Sequence, residues 1–378
     1  MVKTLLVLGT INKCSFKHAT MEVNREMKDI SVQELFSSKE FIPVDVRAPI
    51  EHRDSAIPGS VNIPLFTDEE RQEIGTLYKQ SGEEAAKWRA MEIVSPKLPH
   101  LLGEIKDLKK SGAEPVIHCW RGGMRSKSVA SFLEYAGIPA LRLEGGYRAY
   151  REYILERIPQ LMPEKVIVLH GMTGTGKTDI LQALQDKGYP VVDLEKMANH
   201  RGSIFGMIGK GEAHNQKTFD ALLFERLNEI KGSNYFIIEA ESKRIGRAAQ
   251  PEEMLEKKVN GIHYLVKSSI PKRVERIYNE YVQPFQGEAW FEEEVREKVS
   301  KLIKRINHDV SPSLAFAMEE KNYKELIKIL LVHYYDPRYN HALLEYEGPF
   351  KEIDSDDPDV IVNIVKEIQK TFSDSTAV

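Results

Sequence analysis

Residues 165–178 read Lys-Val-Ile-Val-Leu-His-Gly-Met-Thr-Gly-Thr-Gly-Lys-Thr, and helix-forming text, DILQALQDKG, follows from Asp179. The β-branched run suits a strand buried on both faces. The turn after it offers backbone N–H groups that can wrap a diphosphate. Lys177 would neutralise the diphosphate oxygens, and the Thr178 hydroxyl is a candidate ligand for magnesium. Gly171, Gly174 and Gly176 are phosphate-binding positions, and Gly176 permits the close approach. A strand before the loop and a helix after it separate this match from a chance turn.

Toward the C-terminus, PVVDLE, YFIIEAE, GIHYLV and ILLVHYYD continue as short apolar runs that suit parallel strands, so a doubly wound sheet is expected. A helical insertion is expected at about 280–320. Its acids come early (Glu292, Glu293, Glu294) and its bases late (Lys298, Lys301, Lys304, Arg305), as the helix dipole favours on a solvated face. After an acidic stretch beyond Asp354, VIVNIVKEIQKTF reads as a closing amphipathic helix. Toward the N-terminus, IPQLMPEK carries two prolines and no periodicity, which places a linker at 158–164 between units at 30–157 and 165–378. The first unit alternates strands FIPVDV, SVNIP, PVIHC and ALRLE with helical stretches Glu69–Trp88, Pro96–Ser111, Ser126–Ala136 and Tyr147–Glu156. That is a second, smaller α/β unit.

In this first unit the strand PVIHC runs into Cys119-Trp120-Arg121-Gly122-Gly123-Met124-Arg125-Ser126, with helical text directly after. A sulfur at a strand end and helix N-terminus sits where backbone N–H groups and the helix dipole favour negative charge. Arg121 and Arg125 add cations that would stabilise a thiolate and an incoming oxyanion. Cys119, Arg121 and Arg125 are the candidate catalytic residues.

The 378 residues suffice for two domains, and 42% hydrophobic with 29% charged residues is a globular composition that excludes wholesale disorder and collagen-like repeats. Two cysteines, Cys14 and Cys119, exclude a disulfide framework and fit a reducing cytoplasm. No run approaches the roughly 20 apolar residues a membrane span needs. The N-terminal apolar stretch is followed by Asn12, Lys13 and Cys14 rather than small cleavage-site residues, so it is not read as a signal peptide. With a net charge of −4, binding of nucleic acid would need a local basic surface. Candidates are Arg201, Lys243, Arg244, Arg247, Lys272, Arg273 and Arg276, at or just after expected strand ends.

The cysteine loop alone fits two families: the His-Cys-x5-Arg loop of cysteine phosphatases, whose thiolate attacks phosphorus, and the rhodaneses, whose thiolate attacks a chalcogen. The surrounding text separates them. Val44-Asp45-Val46-Arg47-Ala48-Pro49-Ile50-Glu51 with Ala56-Ile57-Pro58-Gly59-Ser60-Val61-Asn62-Ile63-Pro64 resembles the rhodanese N-terminal signature, and Leu143-Glu144-Gly145-Gly146-Tyr147 resembles its closing segment. Ser55 and His52 depart from it, away from the loop. The resemblance implies an N-terminal rhodanese-like domain joined to a C-terminal domain of the P-loop NTPase kind.

This pairing, with Leu194-Glu195, Ala198-Asn199-His200-Arg201-Gly202-Ser203-Ile204-Phe205-Gly206 and Glu239-Ala240-Glu241-Ser242-Lys243-Arg244-Ile245-Gly246 in that order, resembles the tRNA 2-selenouridine synthases from about Asp45 to Tyr335. The resemblance implies replacement of the sulfur of wobble 2-thiouridine by selenium from selenophosphate. It also implies a geranylated thiouridine intermediate made from geranyl diphosphate. Cys119 would then accept or position selenium as a selenosulfide, and the phosphate loop would hold the prenyl diphosphate. tRNA is the expected partner and a selenophosphate-producing enzyme a further candidate. No tightly bound cofactor, resident metal or membrane contact is expected. Asn199, His200, Arg201, Lys243 and Arg244 are candidate substrate or RNA contacts. Glu239 and Glu241 either orient a metal or base, or are solvated strand ends. The rival reading is a rhodanese-type sulfurtransferase with a nucleotide-binding regulatory domain.

Overall fold

The structure is a computed structural model and describes residues 28–346 and 348–373. Cys14 and the N-terminal apolar stretch lie outside the described residues.

The first unit is a five-stranded parallel sheet built from β1 (Asp29–Ile30), β2 (Phe41–Asp45), β3 (Val61–Asn62), β4 (Glu114–His118) and β5 (Leu141–Leu143), in the order β1-β5-β4-β2-β3. Its helices are α1 (Val32–Leu35), α2 (Pro49–Asp54), α3 (Asp68–Val94), α4 (Leu98–Lys110), α5 (Met124–Tyr135) and α6 (Gly146–Leu161). α3 breaks at Gly82, whose φ of 88° belongs to neither helical half. The end of α3 and helices α4 and α5 cover one face of the sheet through Val94, Leu101, Ile105, Val129 and Leu133. Helices α1 and α6 cover the other through Leu35, Tyr147, Tyr150 and Ile154.

The second unit runs β6 (Lys165–His170), α7 (Lys177–Asp186), α8 (Leu194–Ala198), α9 (Gln216–Glu229), β7 (Tyr235–Glu239), a small ribbon β8 (Arg244–Ile245) and β9 (Ala248–Ala249), α10 (Glu252–Val259) and β10 (Ile262–Lys267). A helical group follows: α11 (Ile270–Tyr281), α12 (Phe291–Ile303), α13 (Ser311–Glu319), α14 (Tyr323–Leu330), a π-helical turn over Leu331–Tyr335, and α15 (Asp336–Leu343). Strand β11 (Lys351–Asp354) and α16 (Val360–Ser373) close the chain. The parallel sheet has the order β11-β10-β6-β7, so the winding direction reverses beside β6, the strand that feeds the phosphate loop. Doubly wound sheets place their ligands at that reversal. Alternation along β6 gives Val166 and Val168 to the core under α8, α9 and α10, and Ile167 and Leu169 to the core under α7 and α16.

The expected α/β architecture is present, with four departures. ILLVHYYD is not a strand: it is the end of α14 and the π-helical turn, because Leu330, Leu331 and Tyr334 bury into a helix-on-helix core that imposes no period of two. PVVDLE makes only one isolated bridge, Val191 to Ile237, before Asp193 caps α8. The edge position opposite β7 is taken by β11, a stretch just before Asp354 to which the sequence reading assigned no strand. The helical insertion begins at Ile270 and ends at Leu343, wider than 280–320.

The stretch expected as a linker, 158–164, is helical as far as Leu161, with Pro159 inside the last turns of α6. Burial of Ile158 and Met162 outweighs the one backbone hydrogen bond that Pro159 cannot make. α6 packs directly on α9 of the second unit. Tyr150, Ile154, Phe219, Leu223 and Phe224 thereby share one continuous core between the two sheets.

Candidate functional sites

Cys119 follows β4 and is buried, with 3% of its surface exposed. Its Sγ lies 3.3 Å from the Ser126 hydroxyl in the first turn of α5, and that hydroxyl is also 3.2 Å from the Gly123 carbonyl. The loop is closed from behind by the Glu144-Gly145-Gly146 turn: the Tyr147 N–H donates to the Cys119 carbonyl at 2.9 Å and the Arg148 N–H to the Trp120 carbonyl at 2.9 Å. Gly146 has φ +61°, and a Cβ there would stand 2.3 Å from the Cys119 oxygen, so no other residue fits. Beneath the loop, Arg47 and Asp45 form a buried ion pair, and the Arg47 guanidinium lies 4.3 Å from the centre of the Tyr147 ring. His118 is buried with no hydrogen-bond partner for either ring nitrogen, although its Nδ1 lies 3.8 Å from an Asp45 carboxylate oxygen. Burial holds its pKa down at about 4, against the pull of Asp45.

The two arginines expected at the thiol differ. Arg121 is exposed on the loop. Arg125 instead gives two hydrogen bonds to the Glu51 carboxylate, at 2.5 and 3.1 Å, and Arg71 approaches the same carboxylate at 3.7 Å. Burial opposes ionisation of Glu51, but the hydrogen bonds and charge of Arg125 hold its pKa below the usual range. The charge of Arg125 is therefore compensated, a pairing that a loop motif read alone does not reveal.

The phosphate loop has the expected form. Gly174 and Gly176 have φ of +78° and +85°, and α7 starts at Lys177. The Lys177 ammonium donates to the Gly171 carbonyl at 2.7 Å, across the mouth of the loop. Thr178 is exposed, with its hydroxyl 3.4 Å from a Glu239 oxygen. The Gly171 N–H donates to the phenol oxygen of Tyr339 from α15. Glu195, Glu239 and Glu241 converge beside Thr178, with ligand oxygens all within 4.8 Å of one another. Burial and mutual repulsion push the pKa of Glu195 up; burial foremost, opposed by Lys177, does the same at Glu239. Such a set of hard oxygens fits a magnesium-sized cation. Glu195 was visible in the sequence only as part of the Leu194-Glu195 block, and nothing there connected it with Glu239.

The loop opens into a cleft of about 600 Å³ that is also lined by Arg201, Ile277, Tyr281, Tyr335 and Tyr339. Asn199 caps α8 in the left-handed region at φ 46°, and its amide donates to the Glu212 carbonyl at 2.9 Å. His200 accepts from the Gly202 N–H at 3.1 Å and lies against Gly246; burial, with Lys210 and Lys298 nearby, lowers its pKa. Arg201 is tied to Glu280 at 2.6 Å and stacks 4.6 Å over Tyr281.

The basic edge expected to meet RNA is broken up. Arg273 is 2% exposed and donates to Asp336 at 2.6 and 3.0 Å; Arg276 donates to Ser268 at 2.8 Å and the Ser355 carbonyl at 3.1 Å. Both hold neighbouring elements onto the phosphate loop. Lys243, Arg244, Arg247 and Lys272 are exposed, with Lys243 paired to Glu252 at 2.8 Å and Arg247 to Glu212 at 3.4 Å. No helix among the described residues is long and apolar enough to cross a membrane.

Comparison with known proteins gives two family matches. A model described as the tRNA 2-selenouridine synthase AAA domain matches residues 164–371, and a rhodanese-like domain model matches 30–153. A protein named tRNA 2-selenouridine synthase from Pseudomonas fluorescens is 34% identical over 335 residues, covering 81% of this chain and 91% of that one. A protein of the same name from Shewanella pealeana is 33% identical over 334 residues, covering 79% and 88%. Among solved structures, the N-terminal domain of a putative ATP/GTP binding protein from Clostridium difficile 630 is 36% identical over 34% of this chain and 99% of that one, with a TM-score of 0.33.

Proposed function

Since this chain belongs to the tRNA 2-selenouridine synthase family, we propose that it is an enzyme of tRNA modification that replaces the sulfur of wobble 2-thiouridine by selenium, with selenophosphate as donor and an S-geranylated intermediate. The observation that carries this reading is the form of the phosphate-loop cleft. Ile277, Tyr281 and Tyr335 also line an adjoining apolar pocket. A ligand with a diphosphate head and an apolar tail matches these adjoining surfaces better than a nucleotide, whose base and ribose need polar partners.

In the first half-reaction the thiocarbonyl sulfur attacks C1 of geranyl diphosphate. The C–O bond breaks and diphosphate leaves into the phosphate loop, where Lys177 and the loop N–H groups meet the developing charge. Magnesium held by Thr178 and the Glu195, Glu239 and Glu241 carboxylates would supply Lewis-acid neutralisation of the leaving group. In the second half-reaction hydroselenide adds to C2 and geranylthiol departs. The selenium stays at its lowest oxidation level if the phosphoryl group of selenophosphate passes to water, so no oxidant is needed. Cys119, in the loop between β4 and the N-terminus of α5, holds the donor at the point of addition.

The test is nucleoside mass spectrometry. Purified protein is given thiolated tRNA with geranyl diphosphate alone, with selenophosphate alone, and with both. Geranylthiouridine in the first arm and selenouridine in the third support the reading. Brisk ATP hydrolysis with no modified nucleoside in any arm would favour the nucleotide-binding regulatory alternative.

A further inference from the structure

A groove in the first unit adjoins the cysteine loop. Gly82 folds α3 into two halves, tied across by Arg89 to Glu73 at 2.6 Å, and these halves together with α5 bound a hollow of about 940 Å³. Small-molecule sites run from about 300 to 1,000 Å³, so the space is ample for one. Ile74, Ala86, Met91, Met124 and Phe132 give it apolar walls. Tyr78, Met91 and Met124, all on this groove, are each more than half exposed. Single exposed apolar residues are ordinary, but three on one groove mark a binding surface. The charge around them is one-sided. Arg71, Lys79, Lys87 and Arg125 line the groove, and Glu83 is the one acid among its lining residues. Glu83 is taken by Lys87 at 2.6 Å, and the single carboxylate of Glu51 serves both Arg71 and Arg125. Positive charge is left over. The groove and the cysteine loop share Met124 and Arg125, and the next residue, Ser126, holds the Cys119 thiol.

We infer that this groove holds the prenyl chain of the S-prenylated wobble nucleotide while Cys119 acts on it, with Arg71 and Lys79 meeting the flanking RNA phosphates. The inference rests on the reading that selenation passes through an S-geranylated intermediate. That intermediate joins a branched hydrocarbon chain to a polyanion, and the groove offers both complements, apolar walls and surplus cations. Once the chain is on sulfur and diphosphate has left, the chain has no charged head to anchor it at the phosphate loop. At the cysteine loop the groove shelters it from water until the C2–Se bond has formed, the C2–S bond breaks and the chain departs with its sulfur as the thiol. An unprenylated thiouridine makes no use of the groove. The site therefore favours the nucleotide whose sulfur is a competent leaving group.

The experiment gives the full-length protein an anticodon stem-loop bearing S-geranyl-2-thiouridine, with selenophosphate, and follows selenouridine by mass spectrometry. Met91→Glu and Ser128→Trp, at exposed positions on the groove, should each raise KM for this substrate roughly tenfold with kcat little changed, the mark of lost ground-state binding. Met91→Leu should behave as wild type. Formation of geranylthiouridine from geranyl diphosphate should keep its wild-type rate in all three. A second stem-loop, with a diazirine at the end of its S-prenyl chain, should label α3 or α5 on irradiation. Labelling confined to the second unit, or an unchanged KM in both variants with circular dichroism as in wild type, would overturn the groove and leave the prenyl reading intact. A wild type that makes no selenouridine from the geranylated stem-loop would instead remove the prenylated intermediate, and the groove's role with it.

Discussion

The ammonium of Lys217, in the first turn of α9, stands 5.6 Å from the centre of the Trp120 indole, the residue that follows Cys119, and 2.8 Å from the Asp54 carboxylate. A residue of the second unit therefore buttresses the cysteine loop of the first. Arg151 to Asp220 at 2.8 Å and the shared core under α6 and α9 extend the same contact. The two halves should behave as one cooperative body. Ile154→Ala, in that shared core, should cost about 2–5 kcal/mol. Urea transitions followed by circular dichroism and by tryptophan fluorescence should move together, since Trp88 and Trp120 report one half and Trp290 the other. Two separated transitions, with only one of them shifted, would refute a common core.

Cys119→Ala should abolish selenouridine formation with little effect on folding. The side chain is small, and its removal should cost on the order of 1 kcal/mol. Geranylation, which uses the other loop, should survive. Selenouridine formed at the wild-type rate by the variant would remove Cys119 from the chemistry. Lys177→Ala should abolish geranylation, and selenouridine formation with it, while leaving alkylation of Cys119 by a small thiol reagent unchanged.

Both loops were legible in the sequence because their chemistry requires fixed residue types at fixed spacing on a strand-to-helix turn. What was not legible depended on contacts distant in sequence. Nothing within Cys119–Ser126 announces that Glu51 neutralises Arg125. Nothing near Arg273 announces Asp336, 63 positions away, which draws the arginine inside. The misread strand, ILLVHYYD, is an apolar run too short for its period to be judged, and burial on several sides of a helix looks the same as burial in a sheet. The polar edge strand β11 carried no hydrophobic signal to find.

His118 makes stability depend on pH in a defined direction. Its folded pKa of about 4 lies below the ordinary 6.5, so as pH falls the unfolded chain takes up the proton first. The stability conferred by the neutral ring is fully present above about pH 6.5 and is lost progressively toward pH 4. At 1.36 kcal/mol per unit, the loss approaches roughly 3 kcal/mol. His118→Leu removes two buried nitrogens that make no hydrogen bond, and the Asp45 carboxylate 3.8 Å away keeps its pairing with Arg47, so the change should leave neutral-pH stability unchanged or raised. The difference between wild type and variant in urea midpoint should widen as pH falls from 6.5 to 4. A constant difference across that range would contradict the assignment.

The carboxylates beside Thr178 predict a pH-linked cation site. Glu195 and Glu239 have raised pKa values, so a dication must displace protons from them, and its affinity should rise with pH. Calorimetric titration with magnesium in buffers of different ionisation enthalpy should show proton release. Glu239→Gln should reduce that release and weaken binding at least tenfold. Equal affinity at pH 6 and pH 8, with no proton release, would count against the site.

The last prediction concerns RNA, and the structure narrows where to look. With a net charge of −4, tRNA must meet a local basic surface. Arg273 and Arg276 are committed inside the protein and Arg201 is tied to Glu280, so none of the three is available to phosphate without rearrangement. Lys243 and Arg244 remain exposed on the segment that leaves β7, just past Glu241, one of the carboxylates that line the cleft. Each cation that contacts phosphate should contribute about one unit to the slope of log affinity against log salt. Replacing both residues by alanine should therefore weaken tRNA binding and flatten that slope by up to two units. The Lys243 contribution is reduced by its existing pair with Glu252. Glu252→Gln alone should consequently tighten binding, an effect that a merely solvated Lys243 would not give. If the double variant keeps wild-type affinity and slope, and Glu252→Gln changes neither, the RNA surface lies elsewhere. The basic end of α12, at Lys298, Lys301, Lys304 and Arg305, is then the next place to substitute.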